Sequence, residues 1–248
     1  AYDRQGNLWV ARLQRSVVQK YTPSGVLVTE VQVESPGAVR LGADGFIYAV
    51  YGDTFTSLLP GSAGGGVVRF NPQAAQPTVE MVAAGLGWAN GAAFDNAGNL
   101  YVADMGSGVV RVLADGAVDA KWSDQTKFTA ANGIAVRDGF VYTTLMFSGD
   151  VVRIPIDNPA DQKRITRLTL DAVPVPLTLD DLTVAPDGSL YVTSPLGKLI
   201  RVDPHTGASC TALHTEPLTS VTVVPDTAGT ELLVGTMRGA ILRVTLAS

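Results

Sequence analysis

Apolar residues along this chain fall into short runs that surround a single basic residue. Val17-Val18-Gln19-Lys20-Tyr21 is followed by Val67-Val68-Arg69-Phe70, Val109-Val110-Arg111-Val112, Val151-Val152-Arg153-Ile154, Leu199-Ile200-Arg201-Val202 and Ile241-Leu242-Arg243-Val244. From Arg69 onward the basic residues lie 42, 42, 48 and 42 positions apart, the period of a blade-sized repeat. A second β-rich run precedes each: Leu8-Trp9-Val10, Ile47-Tyr48-Ala49, Leu100-Tyr101-Val102, Val141-Tyr142-Thr143, Leu190-Tyr191-Val192 and Leu232-Leu233-Val234. Most of these follow a turn such as Ala43-Asp44-Gly45, Asp95-Asn96-Ala97-Gly98 or Pro186-Asp187-Gly188, where glycine with Asp or Asn supplies the positive φ of a tight hairpin. Before the turn comes a run of small and aliphatic residues, as in Gly91-Ala92-Ala93-Phe94. After the basic strand comes a polar–apolar stretch, as in Ala208-Ser209-Cys210-Thr211-Ala212-Leu213.

Four short strands per repeat, with no helical period between them, predict an all-β chain. Six repeats predict a six-bladed β-propeller of four-stranded antiparallel blades, a single domain over 1–248. The Gly, Ala, Val and Thr of the first run suit an inner strand where blades converge. Residue 1 falls close to the first repeat's first turn, so the first blade is expected to lack its inner strand in this chain. The sixth repeat ends after its third strand, at Ser248. A segment of roughly one or two strands is therefore expected to precede Ala1.

Composition narrows the partners. Hydrophobic residues make up 46 % of the chain, enough for a continuous core, and no run of about eighteen apolar residues predicts a membrane span. The net charge of −5, without a Lys/Arg cluster, leaves no footprint for nucleic acid or anionic lipid. A small-molecule substrate is expected, on a soluble monomer or dimer. Secreted, periplasmic and cytoplasmic placement all stay open. Ala1-Tyr2-Asp3-Arg4 lacks the layout of a signal peptide, as a trimmed chain also would. The single cysteine, Cys210, cannot form an internal disulfide and reads as a small buried hydrophobe rather than a nucleophile.

The start of the inner strand carries the chemistry. Trp88-Ala89-Asn90-Gly91, Ala130-Ala131-Asn132-Gly133 and Leu179-Asp180-Asp181-Leu182 occupy matched places: Asn90 and Asp180 lie eleven residues, and Asn132 ten, before the tyrosine of the next strand. Gly37 and Thr219 stand at about the same place in the second and sixth repeats. On a propeller such positions converge on the axis. Two amide oxygens and a carboxylate form a hard-oxygen set suited to Ca²⁺, less easily to Mg²⁺, with Zn²⁺ a further alternative. A single Asn-Gly pair is equally a turn signal. The loops after the second strands are expected on the same face, with Trp88, Met105, Met146, Phe147 and Asp181 offered to substrate. Apolar members of that set suit an apolar or aromatic molecule and would otherwise pack between blades. The long loop from Tyr51-Gly52-Asp53-Thr54-Phe55 through Leu58-Leu59-Pro60 to Gly64-Gly65-Gly66 reads as a flap.

Asn90-Gly91-Ala92-Ala93-Phe94-Asp95, Asn132-Gly133-Ile134-Ala135, and Leu179-Asp180-Asp181-Leu182 followed by Ala185-Pro186-Asp187-Gly188 resemble the senescence marker protein/gluconolactonase family, which includes regucalcin. The resemblance covers nearly the whole chain. It implies a six-bladed propeller, a divalent cation (usually calcium) held by Asn90, Asn132 and Asp180, and a general base or nucleophile at Asp180. Two departures stand out. The family's fourth ligand, a Glu at the start of the first inner strand, is expected before Ala1, since that strand is essentially absent here and Glu34-Ser35-Pro36, which looks like the family's Glu-Ser-Pro, precedes the second repeat. Trp88 stands where sugar-lactone members place an Arg. The resemblance thus implies a metal-dependent hydrolase, a lactonase or esterase acting on a fairly apolar small molecule. A carboxylate touching a cation is a weakened base, which favours water activated by the metal and positioned by Asp180; Asp181 is the lesser choice. His205 and His214 lie in a turn and near an outer strand, so neither a Ser-His-Asp triad nor a lyase using a channel histidine is expected. The alternatives are a metal-free biosynthetic propeller enzyme resembling strictosidine synthase and a non-enzymatic ligand-binding propeller.

Overall fold

The computed structural model describes residues 1–170, 173–227 and 231–246; Ser248 lies outside them. The chain forms two compact units, Ala1–Lys127 and Phe128–Ser248, and every named sheet is antiparallel.

The first unit holds three sheets, each in chain order. These are β1 (Leu8–Arg12), β2 (Val17–Tyr21) and β3 (Leu27–Gln32); β4 (Val39–Leu41), β5 (Ile47–Tyr51), β6 (Gly65–Phe70) and β7 (Glu80–Leu86); and β8 (Ala89–Phe94), β9 (Leu100–Asp104) and β10 (Gly108–Val112). The third sheet departs from the four-strand expectation. A bridge between Val112 and Val118 and a one-turn helix, α1 (Ala120–Ser123), stand where a fourth strand would run. Asp119 caps that helix by accepting from the Trp122 amide at 3.0 Å.

The second unit continues with β11 (Ala131–Arg137), β12 (Phe140–Leu145), β13 (Asp150–Pro155) and β14 (Lys163–Arg167). Next come β15 (Leu182–Val184), β16 (Leu190–Ser194), β17 (Lys198–Val202) and β18 (Ser209–His214), then β19 (Leu218–Val223), β20 (Glu231–Thr236) and β21 (Ile241–Thr245). Within the first unit β1 lies against β4, and β4 and β5 against β8; within the second, β15 lies against β11 and β19. No helix among the described residues is long and apolar enough to cross a membrane.

The continuous apolar runs follow from this stacking. Successive residues of a strand face opposite sides. Val67 joins the cluster shared with Leu100 and Val102 of the third sheet, whereas Val68 joins the cluster with Trp9 and Val18 of the first. Leu199 and Ile200 divide in the same way in the second unit. A sheet with neighbours on both faces needs apolar residues on both.

The basic residue of each repeat has a fixed partner. Trp9 faces Lys20, Tyr48 Arg69, Tyr101 Arg111, Tyr142 Arg153, Tyr191 Arg201 and Leu233 Arg243, directly across second and third strands. Lys20 lies 5.3 Å over the Trp9 ring and 3.6 Å from Asp3, and Arg201 reaches Asp187 at 3.0 Å. The two most regular sequence signatures are thus one cross-strand pair anchored toward the preceding turn, a structural clamp.

Cys210 departs from the expected burial. It is exposed on β18, the outermost strand of its sheet, where polar–apolar alternation has no neighbouring layer to bury its apolar side.

Candidate functional site

The inner strands share an irregularity. In the third sheet the register passes from Ala89–Asp104 to Gly91–Ala103, leaving Asn90 as an extra residue. In the fourth it shifts between Ala131–Leu145 and Ile134–Thr143, enclosing Asn132 and Gly133. In the sixth it skips Thr219. The fifth places Asp180 and Asp181 together against Thr193: Asp180 N–H donates to Thr193 O and Thr193 N–H donates to Asp181 O, both at 2.9 Å. In the second, Gly37 and Ala38 share Val50 likewise, at 3.1 and 2.9 Å. Two residues opposing one is a β-bulge, which re-aims a side chain out of the regular pleat. The matched positions read from the sequence are these bulges.

In the first unit, the bulge side chain meets a carboxylate from the long loop. Gly52 and Asp53 are tied down by main-chain bonds to Glu34 O (3.0 Å) and Ser35 O (2.9 Å). Asp53 Oδ1 accepts from Trp88 Nε1 at 2.7 Å and from Asn90 Nδ2 at 3.0 Å. Burial pushes the Asp53 carboxyl above the usual carboxylate range, while the Trp88 and Asn90 bonds pull it back. Gly37 makes the approach possible: a Cβ there would stand 2.5 Å from Asn90 O and 3.3 Å from Asp53 Oδ2. Phe55 packs edge-on against Trp88 with ring centroids 6.2 Å apart, and 60 % of it stays exposed. Met105 is buried, its amide bonded to Trp88 O at 2.9 Å.

In the second unit, Asn132 and Asp180 belong to adjacent strand starts. Gly133 packs so closely that a Cβ would fall 2.6 Å from Asp181 Cα and 2.7 Å from Asp180 O. Thr144 Oγ1 links them, accepting from Gly133 N–H at 2.8 Å and donating to Asp180 O at 2.6 Å. Asn132 is buried, and its Nδ2 faces Met146 Sδ at 3.7 Å. The Asp181 carboxylate binds main chain: Oδ1 accepts from Leu182 N–H at 2.9 Å and Oδ2 from Val221 N–H at 3.1 Å. That side chain ties the residue before β15 to β19. Phe147 is 65 % exposed.

Asp53 is not recognisable as a site residue from the sequence: nothing in the repeat singles out a carboxylate 37 residues before Asn90, and only the docked loop brings the two together. Both histidines are exposed, His205 in the turn before β18 and His214 at its end. Among the described residues no three His, Cys, Asp or Glu side chains form a metal-binding group. Asn90 Nδ2 is held on Asp53 and Asn132 Nδ2 faces Met146; amide and carboxylate oxygens, as at Asn90 in the first unit and at Asn132 and Asp180 in the second, are donors of the kind a hard cation takes.

No family model matches the chain, and no curated protein sequence matches it. Solved structures do. A gluconolactonase from Xanthomonas campestris aligns over 98 % of this chain and 83 % of its own, with 15 % identity and a TM-score of 0.71. Regucalcin from Agrobacterium tumefaciens, described as a calcium-binding protein, aligns over 96 % and 81 %, with 16 % identity and a TM-score of 0.70. Virginiamycin B lyase from Staphylococcus aureus, in a histidine-to-alanine form described as catalytically inactive, covers all of this chain and 79 % of its own at 12 % identity and a TM-score of 0.69. At these identities the likeness is one of fold. In fold, this chain resembles the gluconolactonase and regucalcin group.

Proposed function

We propose that this chain is a cation-dependent hydrolase that opens a lactone or related ester on a fairly apolar small molecule. Its six sheets would form the blades of one propeller domain, the first blade lacking its inner strand in this chain. The observation that carries the reading is the repeated bulge, which sets Asn90, Asn132 and Asp180 at the same step of their sheets. The shared fold with a gluconolactonase and a calcium-binding regucalcin supports it. Asn90 and Asn132 through their amide oxygens, and Asp180 through its carboxylate, would hold the ion. Ca²⁺ suits those donors, and Mg²⁺ less so. Zn²⁺ suits them poorly, because it prefers nitrogen and sulfur ligands. A bound cation would supply Lewis-acid polarisation of the substrate carbonyl.

The chain's own part is positional. Asp180 is held at its backbone by Thr144 Oγ1 and Thr193 O, so its carboxylate extends from a fixed point. It would accept a hydrogen bond from the attacking water and hold it in place as the new C–O bond forms. The ring C–O bond would then break, the water's proton passing to the leaving ring oxygen, to give a hydroxy acid. Trp88, Met105, Met146 and Phe147 would receive the apolar part of the substrate. A lyase built on a histidine is disfavoured, because both histidines are solvent-exposed on or beside an outer strand.

Metal analysis and calorimetric titration with Ca²⁺ test the reading, together with turnover of a panel of aromatic and alkyl lactones before and after chelation. Asp180→Ala is expected to lower turnover by about 10²–10⁴-fold. Lactone turnover untouched by both chelation and Asp180→Ala would refute it.

A further inference from the structure

We propose that Asp53 is a positioning residue that fixes which end of the Asn90 amide faces the cation; this rests on the hydrolase reading above. A carboxylate accepts hydrogen bonds and donates none, whereas an amide has one end of each kind. Asp53 Oδ1 lies 3.0 Å from Asn90 Nδ2. A flipped Asn90 would set its oxygen against the carboxylate, so the pair admits only the orientation with Oδ1 turned away. Asp53 is itself fixed from three sides. Its amide is bonded to Ser35 O at 2.9 Å and Gly52 N–H to Glu34 O at 3.0 Å, while Trp88 Nε1 donates to the same Oδ1 at 2.7 Å. The bulge aims the side chain, and Asp53 decides which atom it presents. Outer-shell partners of metal ligands act in this way, and their loss typically weakens binding by about 10–100-fold. The Trp88 bond also ties the proposed substrate wall to the same oxygen.

The test is Ca²⁺ affinity of the full chain, measured by calorimetry alongside thermal unfolding of each variant. Asp53→Asn admits both amide orientations and is expected to weaken Ca²⁺ binding at least about tenfold. Trp88→Phe removes the other donor but keeps the carboxylate–amide pair, and is expected to weaken Ca²⁺ binding less than Asp53→Asn does. The exchange Asp53→Asn/Asn90→Asp restores one donor facing one acceptor and is expected to recover most of the affinity. Because it keeps the composition of the pair, it reads out the same point if Asp53→Asn alone folds poorly. Asp53→Asn binding Ca²⁺ as tightly as the parent, or an exchange variant no better than Asp53→Asn, overturns the assignment. A parent chain that binds no Ca²⁺ refutes the cation reading itself, a result distinct from either.

Discussion

Gly133→Ala probes a tightly constrained point of the candidate site. The added methyl would lie 2.6 Å from Asp181 Cα and 2.7 Å from both Asp180 O and Asp181 C, all main-chain atoms of a neighbouring strand start. No rotamer change relieves such contacts. The backbone of β11 or the 180–181 segment must move, and overpacking of this kind costs about 3 kcal/mol, the upper part of its usual range. For a chain of this size that lowers the unfolding midpoint by roughly 6–12 °C. Gly139→Ala is the matched control. Its φ of +79° strains an alanine, but nothing lies within 4 Å of the new methyl, so the cost stays near 1 kcal/mol. Differential scanning calorimetry of both variants, with and without Ca²⁺, separates packing from strain. Gly133→Ala should also lose any Ca²⁺-induced rise in midpoint, because Asn132 and Asp180 shift with the backbone. A Gly133→Ala midpoint within about 1 °C of the parent, or a larger loss for Gly139→Ala, would refute the reasoning.

Three further outcomes follow from residues outside the site. Burial raises the Asp150 carboxyl, but Arg167 and Ser148 hydrogen bonds and the Arg167 and Arg164 charges outweigh it, so it sits below its ordinary 3.8. Its stabilisation is present above about pH 4 and is lost as pH falls through the lowered value; Asp150→Asn should flatten that acid limb in urea titrations, and an unchanged limb would count against the ion pair. Burial, with the opposing pull of Arg111, pushes the Tyr101 hydroxyl up to about 12. Its folded form therefore loses stability as pH rises through that value, and absorbance titration should show one tyrosine ionising last, near 12, a step that Tyr101→Phe removes. Cys210 is exposed, so native protein should react with a thiol reagent at one equivalent per chain, and labelling confined to denatured protein would contradict its placement.

What the sequence disclosed was whatever repeats. Alternation along each strand, a turn signal and an opposite-strand pair such as Tyr191 and Arg201 are local, and six copies make them readable. The bulges were legible as Asn-Gly and Asp-Asp at matched offsets because a bulge is also a local backbone event. Asp53 was not legible as a site residue, since its contacts with Trp88 and Asn90 depend on how a non-repeating loop docks. The third sheet's missing fourth strand escaped for another reason. Helix α1 is four residues long, too short to announce a 3.6-residue period. The tie from the Asp181 carboxylate to Val221 N–H on another strand was not legible either, since no spacing rule identifies such a partner.

The basic residue set opposite an aromatic one at one register of nearly every sheet has an evolutionary consequence. A hairpin that carries its own alignment mark can be copied, moved or replaced without renegotiating its pairing, because a slip by one residue would turn the charged group to the other face of the sheet and part it from its opposite. The middle hairpins of this chain should therefore behave as interchangeable cassettes. A chimera in which 140–155 replaces 47–70 tests this directly, and it would also remove the loop that carries Asp53. Duplication of such a cassette is an economical route to a series of similar sheets, with chemistry left to the few positions where copies diverged. Leu233, standing where the other copies have an aromatic ring opposite the cation, marks one such divergence.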